Sequence, residues 1–371
     1  MAIFALSYNM LYGQSGLLSL GHGVYSGLGG FYAAHVMNAA AAEGQGAWHL
    51  ALAVPLTGGL AGMVAGVLLG SLTTRRAGVV YAMITLGITE LVHAGAPALP
   101  SFFGGEGGIS TNRVYGSPLF GVLNFASQIQ VYYLIAAWLF VSALLMHGWT
   151  RTPQGRLANA VRDNAERAAF VGFHPPTVRL ITTTISAFFA GIAGALSVIN
   201  FESINAEMLG LPVSGNILFA VFLGGSGYFL GPVLGAALMT FCLMVLSGWT
   251  QAWMLYVGVF FIASVMFAPQ GASGIGVRFF SELRGPGICR LRDPWAWGRL
   301  LGALCVFFGS ILWIELTYRF LLEQGAAFRI FAWSLDSSRP YAWIAGSMAV
   351  AVGIALLRWS RGQSVSCKEA A

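Results

Sequence analysis

Glu90 is the acid that stands inside an otherwise apolar stretch, in Leu-Gly-Ile-Thr-Glu-Leu-Val-His, and His93 follows it by one helical turn. At i,i+3 a carboxylate and an imidazole share a helix face. Charges in hydrocarbon are costly and point to function, here a proton relay. The competing reading is structural, with Glu90 pairing locally or reaching the surface. Only Glu315 is otherwise available, near the end of a later apolar stretch, and a proton-driven carrier needs more such groups. His22 lies beside Ser19 and Tyr25 in a glycine-rich segment. It reads either as a hydrogen-bonded core histidine or as a group on a translocation path. A lone histidine holds no metal, because zinc takes three or four ligands. Cys242, Cys289, Cys305 and Cys367 form no CxxC pair, and Cys242 and Cys305 fall in apolar runs, where they read as small buried hydrophobes. No metal site and no catalytic cluster is expected.

The elements that must position these groups are membrane spans. Of 371 residues, 57% are hydrophobic and 9% charged, against about a quarter charged in a soluble domain. Residues 1–42, 44–74, 114–150, 180–201 and 208–277 contain no Asp, Glu, Lys or Arg, and a spanning helix needs only about 20 apolar residues. The fold expected is an all-α polytopic membrane protein of about 11 transmembrane helices (10–12), some interrupted by glycine. Spans are expected near 2–13, 23–38, 49–72, 77–97, 130–149, 180–200, 214–230, 232–249, 251–268, 300–318 and 341–357. The first pair is separated by a glycine-rich break.

All 19 basic residues but Lys368 are arginines. Nucleotide-hydrolysing P-loops carry Gly-Lys-Ser/Thr, and Lys368 sits in Ser-Cys-Lys-Glu-Ala, so any ATP is hydrolysed by another polypeptide. The arginines cluster between apolar segments, which fits the positive-inside rule better than nucleic-acid binding. Alternating the spans puts Arg75, Arg76, Arg151, Arg156, Arg162, Arg167, Arg179 and the basic residues after 277, except Arg319, Arg329 and Arg339, on the cytoplasmic side. Loops 98–129, 201–213 and 319–340 then lie outside. This count starts residue 1 outside, which suggests a missing first span or a miscounted first pair. No cleavable signal is read at the start, where no basic region precedes the apolar stretch.

Gly58, Gly62, Gly66 and Gly70 recur every four residues, as do Ala187, Gly191 and Ala195, and Gly227, Gly231 and Gly235. Such stripes let helix backbones approach where lipid supplies no drive for association. The glycine clusters at 13–23 and 224–232, with Gly224, Gly225 and Gly227, are denser. Each reads as an interrupted helix lining a polar path or as a tight turn. Gly104, Gly105, Glu106, Gly107 and Gly108 form an outer loop, either a backbone nest or a flexible turn.

Between Gly155 and Gly172 the chain is alanine-rich, helix-prone and amphipathic, with Leu157, Ala160, Val161, Ala168 and Phe170 as apolar contacts. It is too short to span. It suits either the lipid headgroups or a groove in a partner. The loop resembles the EAA motif of ABC-importer permeases through Glu166, Ala168 and Gly172, with Arg167 in place of the middle alanine and without the usual downstream Ile-x-Leu-Pro. More specifically, Gly155-Arg156-x-x-x-Ala-x-Arg162-Asp163-Asn164 is similar to the LivM-type permeases of branched-chain amino acid importers. So are Gly-Leu-Leu-Ser-Leu-Gly-His at 16–22, Arg-Ala-Gly-Val-Val-Tyr-Ala-Met-Ile-Thr at 76–85, the 104–108 loop and the 224–232 cluster.

The resemblance covers about 1–275 and implies a permease domain there. Residues 276–371 add a basic cytoplasmic loop and two C-terminal spans of no derivable role. It implies a multi-pass subunit of a bacterial inner membrane, in contact with membrane lipid but not nucleic acid. Its partners would be a second permease, two ATP-binding cassette subunits that hold the ATP and Mg, and a periplasmic solute-binding protein. This chain would bind no cofactor and would not be an enzyme. Residues 151–172 would dock in the ATPase cleft, while 104–108 is a candidate contact for the binding protein. Ser19, His22, Tyr25, Glu90, Gly224, Gly225 and Gly227 are candidates for the path. The substrate expected is a branched-chain or related amino acid. Urea or a short amide is the alternative within the family, and proton-coupled transport through Glu90 and His93 the alternative outside it.

Overall fold

The computed structural model describes residues 1–114, 125–249, 253–267 and 271–274. Beyond these it describes 302, 305–306, 309–310, 312–314, 316–318, 327–330, 333–336, 343–344, 347–348 and 351–355. The chain divides into two compact units, 1–246 with 257–275, and 247–256 with 276–371.

The first unit is built from helices α1 (Ala2–Asn9), α2 (His22–Ala42), α3 (Val54–Thr73), α4 (Val79–Gly95), α5 (Pro100–Phe103), α6 (Gln128–Arg151), α7 (Pro153–Asp163), α8 (Ala165–Phe170), α9 (Pro175–Phe201), α10 (Leu211–Gly224) and α11 (Gly231–Phe241). The short α12 (Ser247–Trp249) belongs to the second unit, and α13 (Trp253–Phe267) runs from the second unit into the first. Among the described residues, His49–Thr73, Val79–Ala98, Gln128–Arg151 and Pro175–Phe201 are long and apolar enough to cross a membrane, and Leu211–Gly224, Gly231–Leu246 and Trp253–Met266 are shorter apolar helices. The expected span at 214–230 is displaced: α10 starts three residues earlier and stops at Gly224. Of the spans expected at 300–318 and 341–357, only part lies in described residues.

The centre of the unit is the packing of α2, α3 and α9. The two expected stripes meet each other: a Cβ on Gly58 would lie 2.6 Å from the Cβ of Ala195, and one on Gly66 2.6 Å from the Cβ of Ala187. Gly29 of α2 approaches Gly191 at the same level, where its own Cβ would come 2.5 Å from the Gly191 Cα. Backbones this close gain dispersion contacts that lipid cannot replace. In the third stripe Gly231 and Gly235 pack under α10, but Gly227 has open space around it. It lies in the turn after α10 rather than on a helix face. α4 and α6 bury much less of themselves in this unit, with Met83, Leu91, Tyr132, Tyr133 and Phe140 exposed.

All-α needs one amendment. β1 (Ile109–Ser110) pairs antiparallel with β2 (Ser203–Ile204), joining loop 99–114 to the end of α9. In the second unit β3 (Ala327–Ile330) pairs antiparallel with β4 (Trp333–Asp336), within the loop expected at 319–340. Backbone groups outside helices need partners, and two-residue or four-residue ladders supply them. The second unit also brings helical residues together at Gly353, whose Cβ would meet the Gly302 carbonyl at 2.8 Å. Cys242 and Cys305 are free and half-buried, less enclosed than the small buried hydrophobes expected. Glu315, Cys289 and Cys367 lie outside the described residues.

Candidate functional site: two interior helix starts and a short helix pair

The 13–23 segment is an interrupted helix. α1 widens into a π-helical turn, Met10–Gln14, and the chain then leaves helical geometry until His22. Gly16 turns it back with φ of +68°, a conformation that costs glycine nothing. The return is direct, because His22 lies beside the middle of α1. Its ring stacks on Phe4 at 5.3 Å and meets Tyr8 and Tyr25 edge-on at 5.2 and 5.8 Å. The N-terminus of α2 is therefore buried inside the bundle. Ser186, near the middle of α9, marks the same level by donating to the Ser7 carbonyl at 2.6 Å.

Unwound backbone in a bundle must find partners, and here they are hydroxyls. The Leu20 N–H donates to Thr85 Oγ1 at 3.1 Å, and Thr89 Oγ1 donates to the Leu20 carbonyl at 3.1 Å. The Gly23 N–H donates to Ser214 Oγ at 2.9 Å. Ser214 sits in the first turn of α10, so α10 also begins in the interior, and its start faces the start of α2. Ser7 Oγ donates to the Phe4 carbonyl at 2.7 Å and thus accepts from His22 Nε2–H at 2.9 Å. That assignment leaves His22 Nδ1 as a buried acceptor without a partner. Two helix N-termini buried in the bundle beside a spare imidazole nitrogen can receive a polar solute or water.

Of the path candidates, Ser19, His22 and Tyr25 come together here, all buried. Glu90 does not join them. It is exposed on the face of α4 opposite Thr85 and Thr89, which pack inward, and no hydrogen bond links it to His93. Gly224, Gly225 and Gly227 belong to the connection from α10 to α11, where Gly225 adopts φ of +97°. This is the tight-turn alternative, not a second interrupted helix. The turn still reaches the first cluster, since a Cβ on Gly13 would lie 3.0 Å from the Ser226 carbonyl.

The 151–172 loop forms two helices instead of one. Thr152 caps α7 by accepting from the Gly155 N–H at 3.3 Å, and a Cβ on Gly155 would crowd the Thr150 Cα at 2.8 Å. Asn164 leaves the helix at φ −157° and accepts from the Arg167 N–H at 2.8 Å, ending α7 and capping α8. Asparagine competes with the helix in this way through its side-chain oxygen. Gly172 closes α8 with φ of +97°. Ala158, Val161 and Ala168 pack with Val178 of α9, as the amphipathic pattern requires. Ala160 and Phe170 face the other way, against expectation, and Phe170 is 91% exposed, with Val171 beside it at 71%. Arg156, Asp163 and Glu166 are exposed too, and Asp163 pairs with Arg162 at 3.2 Å.

At the opposite end, the 104–108 loop is shaped and held. Gly104, Gly105 and Gly108 all have positive φ, Gly107 has open space, and Glu106 is exposed. His35 Nε2 bonds the Phe102 carbonyl at 2.8 Å and Asn38 donates to the Ser110 carbonyl at 3.2 Å. The Arg113 N–H donates to Glu202 Oε1 at 3.0 Å, and the side chains form an ion pair at 3.8 Å. Sequence reasoning missed Thr85, Thr89, Ser214, Arg113 and Glu202 as partners. Thr85 and Thr89, four apart in an apolar span, were the signal available.

A cavity of about 700 Å³ opens between α2, α3 and α4, lined by residues such as Leu60, Val64, Leu91 and Phe102. Its lining carries no charge, so it suits acyl chains and not a zwitterion.

The family model described as "Branched-chain amino acid transport system / permease component" matches residues 1–269. The high-affinity branched-chain amino acid transport system permease protein LivM of Salmonella typhimurium is 31% identical over 290 residues, covering 72% of this chain. The protein of the same description from Escherichia coli is 30% identical over 289 residues, again 72% of this chain. In each case the match spans 66% of the relative's own length, just under two thirds. No solved structure matches.

Proposed function

The chain belongs to the family of permease components of branched-chain amino acid transport systems, and from that premise we propose that it is the membrane-spanning permease subunit of an ATP-driven importer for branched-chain or related amino acids. Its partners would be a second permease, two ATP-binding cassette subunits carrying ATP and Mg, and a periplasmic solute-binding protein, in a bacterial inner membrane. Residues 1–275 would be the permease domain, with 276–371 an appendage. The observation that carries this reading is the meeting of the α2 and α10 starts beside Ser19 and His22. Helix N-termini favour negative charge, which suits the carboxylate of an amino acid. Solute passing here would move when the bundle shifts between outward and inward states, each favoured by a different partner ligand.

Glu90 supports the second permease. An acid on the exposed face of a membrane helix is costly against lipid, and a neighbouring polypeptide relieves that cost. The exposed Arg156, Glu166 and Phe170 on α7 and α8 suit an ATPase cleft, and the Gly104–Gly108 loop with Glu106 suits a binding protein at the other end.

The test is uptake by proteoliposomes holding the chain with its cognate subunits. Leucine should accumulate only with ATP and the ATPase subunits present. Urea accumulation in place of leucine would reassign the substrate. Uptake driven by a proton gradient through the purified chain alone would replace the importer reading with a secondary carrier.

A further inference from the structure

The helix α7 and the interrupted helix are joined directly. Arg162 Nη1 donates to the Gly13 carbonyl, and Asn159 Nδ2 donates to Gln14 Oε1 at 2.8 Å. Gly13 and Gln14 end the π-helical turn, where carbonyls lack helical partners and the dipole is negative, so an arginine there is doubly favoured. Gly16 leaves the room required, since a Cβ on it would stand 2.7 Å from Arg162 Cγ. The α10–α11 turn abuts the same point through the Ser226 carbonyl. On its other side α7 is packed on α9 by Ala158 and Val161 against Val178. A displacement of α8 therefore has a short route through Asn164 and α7 to the turn Met10–Gln14, and from there through the break to His22 and the start of α2.

We propose that Arg162 and Asn159 are positioning residues that fasten α7 to the Met10–Gln14 turn, so that the two move as one lever and carry ATPase-driven motion to the interior starts of α2 and α10. The proposal rests on the reading of α7 and α8 as the ATPase contact. It assigns Arg162 to the membrane side of that contact, whereas Arg156, Glu166 and Phe170 face the partner.

The experiment uses the full complex in proteoliposomes, with the four native cysteines replaced by serine, and reads leucine taken up per ATP hydrolysed. The variant combines Arg162→Ala with Gln14→Cys and Asn159→Cys. Reduced, it lacks both bonds, and the ratio should fall at least about tenfold, the scale of a typical coupling energy. Oxidised, the disulfide refastens α7 to the turn, and the ratio should return to within about twofold of the cysteine-free protein. Arg162→Lys, which still reaches a carbonyl, should keep the ratio. An equal ratio in reduced and oxidised forms overturns the lever. Should the disulfide not form, or the triple variant not insert, Arg162→Ala alone with an unaltered ratio overturns it equally. Co-purification of the ATPase subunits is measured on the same samples. Its absence in the parent complex overturns the docking reading and the lever with it. Its presence beside an unaltered ratio overturns the lever alone.

Discussion

Single hydroxyls hold the interior of this protein open to chemistry. Ser214, Thr85 and Thr89 partner the backbone of Leu20 and Gly23, which otherwise would lie unpaired among apolar side chains. Hydrogen bonds between membrane helices contribute about 0.6 kcal/mol on average and up to about 1.7, so no one of them holds the fold. Ser214→Ala should therefore lower thermal stability in detergent by only a few degrees while leaving the Gly23 N–H orphaned at the start of α2. Leucine uptake should fall more than the stability loss explains. Wild-type uptake in Ser214→Ala, measured at equal protein in the membrane, would remove this end of α10 from the path. Glu90 carries the opposite lesson. Its type marked it as a core group, but its direction on α4 takes it out of this chain's bundle.

In two elements the structure decides what the sequence pattern left unspecified. The 151–172 segment has the pattern of one amphipathic helix, yet Asn164 splits it, and the second piece presents Phe170 and Val171 to solvent. Under the proposed function, Phe170 is the candidate anchor for the ATPase subunit. An anchor of this type contributes about 2 kcal/mol or more when buried at an interface, so Phe170→Ala should weaken co-purification of the ATPase subunits by at least about tenfold. Unchanged co-purification in a salt and detergent series would place the docking surface elsewhere. The interrupted helix is the other case. Glycine density announced a break at 13–23, and the hydroxyl partners decided that the chain folds back there and starts α2 inside the bundle.

At the scale of the first unit, the seam of α3 on α9 is a close backbone contact. Gly62 sits with its would-be Cβ 2.9 Å from the Gly191 Cα and 2.5 Å from the Ala187 carbonyl oxygen. A larger residue must push the two backbones apart, which no rotamer change relieves. Gly62→Leu should give protein that inserts poorly and elutes as aggregate in size-exclusion chromatography, whereas Gly87→Leu on the open face of α4, where nothing lies within 4 Å, should leave a single folded peak. A well-behaved Gly62→Leu would show that the seam is looser than its geometry implies.

Composition was enough to point to a helical membrane protein, because hydrocarbon excludes charge whatever the fold. The glycine stripes showed where helices would touch, since close approach needs small residues at four-residue spacing, and the motif order along 1–275 pointed to the family. Which stripe meets which was not legible, because one stripe fits any other. Nor could the sequence tell the turn at 224–232 from the break at 13–23: both are glycine-rich, and only distant partners separate them. The contact of Arg162 with Gly13 joins residues 149 apart, as the bond of Gly23 to Ser214 joins residues 191 apart. Local pattern holds no record of such pairings. They exist because burying backbone without water forces each polar group to find whichever partner the packed helices bring within reach.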